Sequence, residues 1–321
     1  MRITRSTLAL ASYAGLVFVF RFGLERSSLG AALGGSFRYA FASFALLLAP
    51  LWFFGFGLGD WMAERIRSRA LRILLPGLLV IAPLVFGLRG GNPNWLVIFE
   101  MFALPVILAA LLELSVREPK MVWQDGFVLA VVVAVYMLRV FEPAWPYPGL
   151  AVLPKLYVAE VALYLYSINR RLEGMGYSFL PWASAAGIGL REWLLFSPLG
   201  IGLGLALGFI QFRPRIPSAV AAATAVLIIF VLVAIPEELF FRSILQNLLE
   251  SRLGRYGALT VAAVLFGLGH FNKGVAFNWR YVLLAAIAGV FYGRAWRARR
   301  QVLAAVIAHT AVDVVWSLWF R

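Results

Sequence analysis

The segment IPEELFFR (residues 235–242) places two adjacent glutamates and an arginine inside a long apolar stretch of the chain. Ionisable groups at membrane depth are costly to bury, so they are retained there when they are paired or functional. The two histidines of the chain, His270 and His309, lie in later apolar stretches. Two carboxylates and two imidazoles in the last quarter of the chain therefore indicate a hydrolytic site inside a membrane.

The composition predicts an integral membrane protein. Of the 321 residues, 62% are hydrophobic and only 14% are charged, too few to cover the surface of a soluble domain. Cysteine is absent, which excludes disulfides, thiolate metal sites and a cysteine nucleophile. The net charge is +14, and the arginines lie mostly between apolar spans. We therefore expect them to contact lipid headgroups and set the topology, and we expect no nucleic-acid partner.

Apolar runs long enough to cross a bilayer recur along the whole chain. They predict an all-α, polytopic helical bundle with about 9–11 transmembrane helices and a polar catalytic cavity among the C-terminal helices. The candidate spans are 7–24, 37–58, 71–88, 95–115, 121–140, 151–168, 193–210, 217–249, 257–271, 279–296 and 301–320.

The connections after alternate spans are rich in arginine, namely 65–72, 117–120, 170–171, 252–255 and 294–300. This alternation predicts a cytoplasmic N-terminus and an external C-terminus, although Arg213 and Arg215 would then lie outside. The N-terminus, with Arg2 and Arg5 before an apolar run, is interpreted as a retained first span rather than a cleaved signal.

A change of composition near residue 190 predicts two regions, an N-terminal transmembrane region over 1–190 and a site-bearing region over 191–321. The first region contains single acids, Glu100, Glu113 and Glu160, and also Arg139. We expect these residues to form helix contacts or to lie at headgroup level. The alternative is a non-enzymatic membrane protein, either a scaffold or a proton-coupled carrier that uses these acids.

Helical spacing divides the acidic pair into two roles. Residues four apart share a helix face, so Glu238 can pair with Arg242, whereas Glu237 is turned away by about 100°. We expect the Glu238–Arg242 pair to support the site and Glu237 to be functional. Pro236 either kinks the span or starts a new helical segment.

The histidine motifs are Phe266-Gly-Leu-Gly-His270 and His309-Thr-Ala-Val-Asp313. Each imidazole taken alone is explained by a hydrogen-bonded core contact. Counted from the arginine-rich connections, however, Glu237, His270 and His309 lie at similar depths, about 13–23 Å from one membrane face at ~1.5 Å rise per residue. This common depth predicts that three helices bring the groups together.

The three motifs in this order resemble the CPBP family, also called the Abi or type II CAAX prenyl endopeptidase family. The resemblance covers roughly residues 190–321 and implies an intramembrane endopeptidase. It implies that Glu237 and His270 activate a water molecule, while His309 and residue 313 stabilise the oxyanion, with Phe266 as part of the supporting motif.

Asp313 departs from the CAAX endopeptidase pattern, which has asparagine at this position. Because an ionised aspartate cannot donate a hydrogen bond, Asp313 is protonated, orients His309 or helps to hold a metal. A zinc site formed by Glu237, His270 and His309 is the alternative mechanism. We favour the metal-free mechanism, without a cofactor.

The expected partners are the lipid bilayer and a membrane-bound, lipidated or peptide substrate. The arginine bias and the compact loops favour a bacterial inner membrane.

Overall fold

The computed structural model describes residues 4–90, 93–115, 118–213, 216–271, 274 and 277–320. Within those ranges the regular structure is helical and there is no β-strand, only one isolated bridge between Phe212 and Phe320. The predicted all-α class is therefore confirmed. Residues 117 and 215, which belong to predicted connections, lie outside the described ranges.

The chain forms two compact units, which divide after Arg171 except that residues 119–121 belong with the second. The functional division into 1–190 and 191–321 stays a prediction. The first unit contains α1 (Arg5–Glu25), α2 (Ser28–Leu33), α3 (Phe37–Phe54), α4 (Leu58–Arg65), α5 (Arg69–Leu74), α6 (Ile81–Gly90), α7 (Trp95–Leu114), α8 (Trp123–Met137) and α9 (Val152–Tyr164).

The second unit contains the motifs singled out in the sequence. Its helices are α10 (Trp182–Ala206), α11 (Ala219–Ile228), α12 (Ile235–Glu238), α13 (Asn247–Leu268), α14 (Trp279–Arg299) and α15 (Val302–Trp319). Helix α10 packs on α14 and α15, and α14 also packs on α13. The short α12 contacts α15 and the helical segments directly before and after it.

Seven helical segments within the described ranges are long and apolar enough to cross a membrane, so the chain is a polytopic integral membrane protein. They are Arg5–Glu25, Ser28–Phe54, Arg69–Leu88, Trp95–Leu114, Trp182–Ala206, Ala219–Leu268 and Val302–Trp319.

Each of the predicted spans falls on a helix, but fewer helices qualify as full spans. The predicted span 121–140 forms a helix of only 15 residues, Trp123–Met137. The spans 217–249 and 257–271 belong to the single helical stretch Ala219–Leu268, which is interrupted at Gly254. Gly254 has φ 66° and ψ 176°, a conformation that favours glycine, and it marks the predicted arginine-rich connection.

In the first unit, buried polar side chains form hydrogen bonds with the backbone of helices that contain proline. In α7, Pro105 has no N–H to bond the carbonyl of Met101, and the Tyr157 hydroxyl donates to that carbonyl instead. In α3, the N–H of Leu51, directly after Pro50, donates to Glu160 Oε1 at 3.1 Å. Glu160 therefore forms a helix contact, as the sequence predicts.

The remaining buried acids of the first unit pair with arginines. Glu113 accepts hydrogen bonds from Arg72 Nε at 2.7 Å and Nη2 at 2.9 Å, and Asp125 accepts one from Arg170 Nε at 2.8 Å. These contacts give Glu113 and Asp125 structural partners.

Candidate active site

The acidic pair lies in an unusual part of its helical stretch. Glu237 and Glu238 belong to the four-residue α12, which is flanked by π-helical segments at Ile229–Ala234 and Leu239–Gln246. Pro236 lies in the first turn of α12, but Ala234 and Ile235 before it have helical dihedral angles, so the helical stretch continues through the proline and no new helix starts there. Short π-helical insertions are frequent at functional sites because they change the direction of side chains.

Glu238 and Arg242 form the pair that their spacing predicts. Glu238 Oε2 lies 2.9 Å from Arg242 Nε, and both side chains are fully buried. The guanidinium carbon of Arg242 lies 4.8 Å from the ring centre of Phe266, which adds a cation–π contact in a desolvated setting. A buried pair of this kind fixes geometry, because neither charge can be removed alone without a large cost.

His309 shares Glu238 with Arg242. Its Nδ1 lies 2.8 Å from Glu238 Oε1, so one carboxylate contacts both an arginine and a histidine. His309 is almost fully buried, and its ring stacks on that of Tyr292 with 4.7 Å between ring centres. Glu238 therefore fixes the orientation of the imidazole on α15.

The other nitrogen of His309 faces two further carboxylates. Glu237 Oε2 lies 3.9 Å and Asp313 Oδ2 lies 3.4 Å from His309 Nε2. Glu237 and Asp313 are partly accessible, with 24% and 28% of their side chains exposed. Access of water therefore differs sharply between these two acids and the fully buried Glu238.

His270 lies on the other side of Phe266. Its ring centre is 4.9 Å from that of Phe266, and the ring centres of Phe266 and His309 are 5.7 Å apart. The Nδ1 of His270 lies 2.9 Å from the carbonyl oxygen of Phe266. The ring centre of Tyr281 lies 4.7 Å from that of His270.

A cavity of about 80 Å³ joins the two histidines. That volume exceeds the ~10–15 Å³ that one water molecule needs. Glu237 does not line this cavity, but its Oε2 lies 3.9 Å from Nε2 of His309, which does. The polar lining consists of Ser197, His270, Tyr281, Tyr292, His309 and Asp313, and the aromatic walls are Trp193, Phe196, Phe209, Phe266 and Trp316.

The structure thus brings His270, His309 and Asp313 together around one cavity and places Glu237 beside His309. Sequence reasoning missed the Glu238–His309 hydrogen bond and the two tyrosines. A tyrosine inside an apolar span is an ordinary residue at a helix interface, so no local signal marks Tyr281 or Tyr292 as part of the cavity.

The zinc hypothesis finds no prepared ligand cluster. Among the described residues, no three or more His, Cys, Asp or Glu side chains are arranged to hold a metal ion. The hydrogen bond between His309 Nδ1 and Glu238 leaves Nε2 as the nitrogen that could bind a metal. Glu237, His270 and His309 are not arranged as a zinc site among the described residues, and the metal-free mechanism stays a prediction.

Comparison with known proteins supports the resemblance that the motifs carry. No curated protein and no solved structure matched the chain. The family model described as type II CAAX prenyl endopeptidase Rce1-like matches residues 219–315, which include all three motifs. Residues 219–315 of this integral membrane protein are therefore similar to the type II CAAX prenyl endopeptidases, the family that the three motifs resemble.

Proposed function

We propose that this protein is an intramembrane endopeptidase. It would hydrolyse a peptide bond in the membrane-proximal or C-terminal segment of a substrate protein. The observation that carries the proposal is that His270, His309 and Asp313 line a small cavity between apolar helices, with Glu237 3.9 Å from His309 beside it. The family match over residues 219–315 supports a hydrolase of the CAAX endopeptidase class.

Glu237 acts in this proposal as the general base, together with His270. Its Oε2 is buried and has no hydrogen-bond partner among the described residues, so it is available to accept a proton. Water gives a proton to Glu237 as its oxygen attacks the peptide carbonyl carbon. The proton then passes to the departing amine as the carbon–nitrogen bond breaks.

His309 stabilises the oxyanion that forms on the carbonyl oxygen. Donation from Nε2 while Nδ1 bonds Glu238 requires both nitrogens to carry protons. The surrounding carboxylates of Glu237, Glu238 and Asp313 favour that cation by Coulomb attraction. The distance of 3.4 Å from Asp313 to Nε2 supports a role for Asp313 in orienting His309.

The walls of the cavity favour an apolar substrate segment. Trp193, Phe196, Phe209 and Trp316 supply aromatic surface around the polar groups. An extended segment of a membrane-bound or lipidated protein suits this lining. We propose a bacterial inner membrane with a cytoplasmic N-terminus, where the substrate would be a secreted peptide or a C-terminal sorting tail during maturation.

A proteome comparison tests this proposal. Membrane proteins from cells with and without the protein are compared by mass spectrometry of their termini. An endopeptidase predicts that at least one uncleaved precursor accumulates in its absence and disappears when the wild-type chain is restored. Unchanged termini would overturn the proposal and favour a carrier or scaffold.

A further inference from the structure

Four arginines line a second cavity of the C-terminal unit, separate from the candidate active site. They are Arg191 on α10, Arg255 on α13, and Arg294 and Arg297 near the end of α14. The cavity has a volume of about 190 Å³ and is completed by Glu192 and Ala298. None of these residues lines the cavity of the two histidines.

The charge of this cavity is unbalanced. Glu192 is fully buried and pairs with Arg191 Nη2 at 2.7 Å and with Arg294 Nε at 3.1 Å. Arg297 Nη1 donates to the backbone carbonyl of Arg255 at 3.1 Å, which holds the other two arginines side by side. One carboxylate thus lines the cavity beside four guanidinium groups, with Glu250 of α13 as a second carboxylate that attracts Arg297, and a bound anion would relieve the remaining repulsion.

We propose that this arginine cavity binds a phosphate group, supplied by the headgroup of an anionic lipid. Guanidinium groups match phosphate oxygens with paired donors, and they are less strongly hydrated than lysine. The cavity volume far exceeds the ~10–15 Å³ that a single water requires. Two of its arginines, Arg294 and Arg297, belong to the cluster 294–300 at the end of α14, where basic side chains can meet anionic headgroups.

Lipid titration followed by native mass spectrometry tests this site without any activity measurement. The purified chain is titrated with phosphatidylglycerol and, in parallel, with phosphatidylcholine and with inorganic phosphate. Arg297→Gln removes a cavity arginine. Arg299→Gln removes an exposed arginine of the same helix that does not line the cavity, and so controls for net charge.

Arg297→Gln is expected to weaken phosphatidylglycerol binding about tenfold, the effect of losing a charge-assisted hydrogen bond. Arg299→Gln is expected to leave binding near the wild-type value. Should Arg297→Gln fold poorly, the exposed Arg255→Gln gives the same comparison.

Equal binding by Arg297→Gln and the wild type, or an equal loss in Arg299→Gln, would overturn the site. If binding of inorganic phosphate depends on Arg297 and binding of phosphatidylglycerol does not, the ligand is free phosphate and the proposal of a lipid headgroup is overturned.

Discussion

Glu238 is the residue on which the geometry of the candidate site depends. It contacts Arg242 and His309 at once, in a fully buried position. The pair with Arg242 could be predicted from the sequence, because four residues on a helix fix it locally. The contact with His309 could not be predicted, because it spans 71 residues and depends on how α15 packs against α12.

The adjacent glutamates are expected to respond differently to the same substitution. Glu238→Gln leaves the buried charge of Arg242 without its partner, so it should lower the free energy of unfolding by about 3–5 kcal/mol. Glu237→Gln changes a partly exposed side chain that has no arginine partner among the described residues, and its free energy of unfolding should stay near that of the wild type. Thermal unfolding of the two purified variants measures this difference. Equal unfolding midpoints would contradict the supporting role of Glu238.

Asp313 distinguishes the metal-free mechanism from the zinc alternative. In the metal-free mechanism asparagine supplies a donor at this position, so Asp313→Asn should be tolerated or even cleave faster. If Asp313 is instead a partner of a metal site, its replacement should weaken metal binding by roughly 10–100-fold. Metal content and cleavage rate, measured for the wild type and for Asp313→Asn, distinguish the two mechanisms. Stoichiometric zinc, lost together with activity in Asp313→Asn, would refute the metal-free mechanism.

At the scale of the elements, glycines set the distance between the site-bearing helices. A Cβ at Gly267 of α13 would lie 2.5 Å from the carbonyl oxygen of Val282 in α14, so this glycine of the Phe-Gly-Leu-Gly-His motif allows the two helices to approach closely. Hydropathy predicted where these helices lie. It did not predict the π-helical segments around α12, since helix type there depends on packing and no local composition specifies it.

Two glycines of α10 provide a matched test of this packing. A Cβ at Gly189 would lie 2.6 Å from the carbonyl oxygen of Ala304 in α15, whereas Gly187 has nothing within 4 Å. Gly189→Ala should therefore destabilise the α10–α15 contact, by about 1–3 kcal/mol for overpacking. Gly187→Ala should stabilise the helix by about 0.5–1 kcal/mol. Thermal unfolding of both variants checks this, and the opposite order of stability would show that α10 and α15 do not pack as described.

For the whole molecule, the sequence predicts the membrane class and the order of the spans, because bilayer thickness fixes the length of an apolar helix. It does not predict how the buried acids are used. Glu160 and Glu113 are recognisable as helix contacts only when Leu51 and Arg72, far away in sequence, are placed beside them.

Orientation in the membrane is open to a direct test on this cysteine-free chain. Arginine-rich connections are expected in the cytoplasm, so Arg67→Cys should be labelled by a membrane-impermeant thiol reagent only after the cells are opened. Asn94→Cys, in an intervening connection, should be labelled in intact cells. The reverse pattern would place the N-terminus outside and overturn the proposed topology.

The most direct test of the central claim uses the accumulating precursor together with purified protein in liposomes made in ¹⁸O-labelled water. The wild-type chain should cleave the precursor and place one ¹⁸O atom in the new carboxyl terminus, as hydrolysis requires. Glu237→Gln should show no cleavage, because it lacks the base that activates water. Its unfolding midpoint should match that of the wild type, so loss of cleavage is not loss of folding. Cleavage by Glu237→Gln at the wild-type rate would contradict the account.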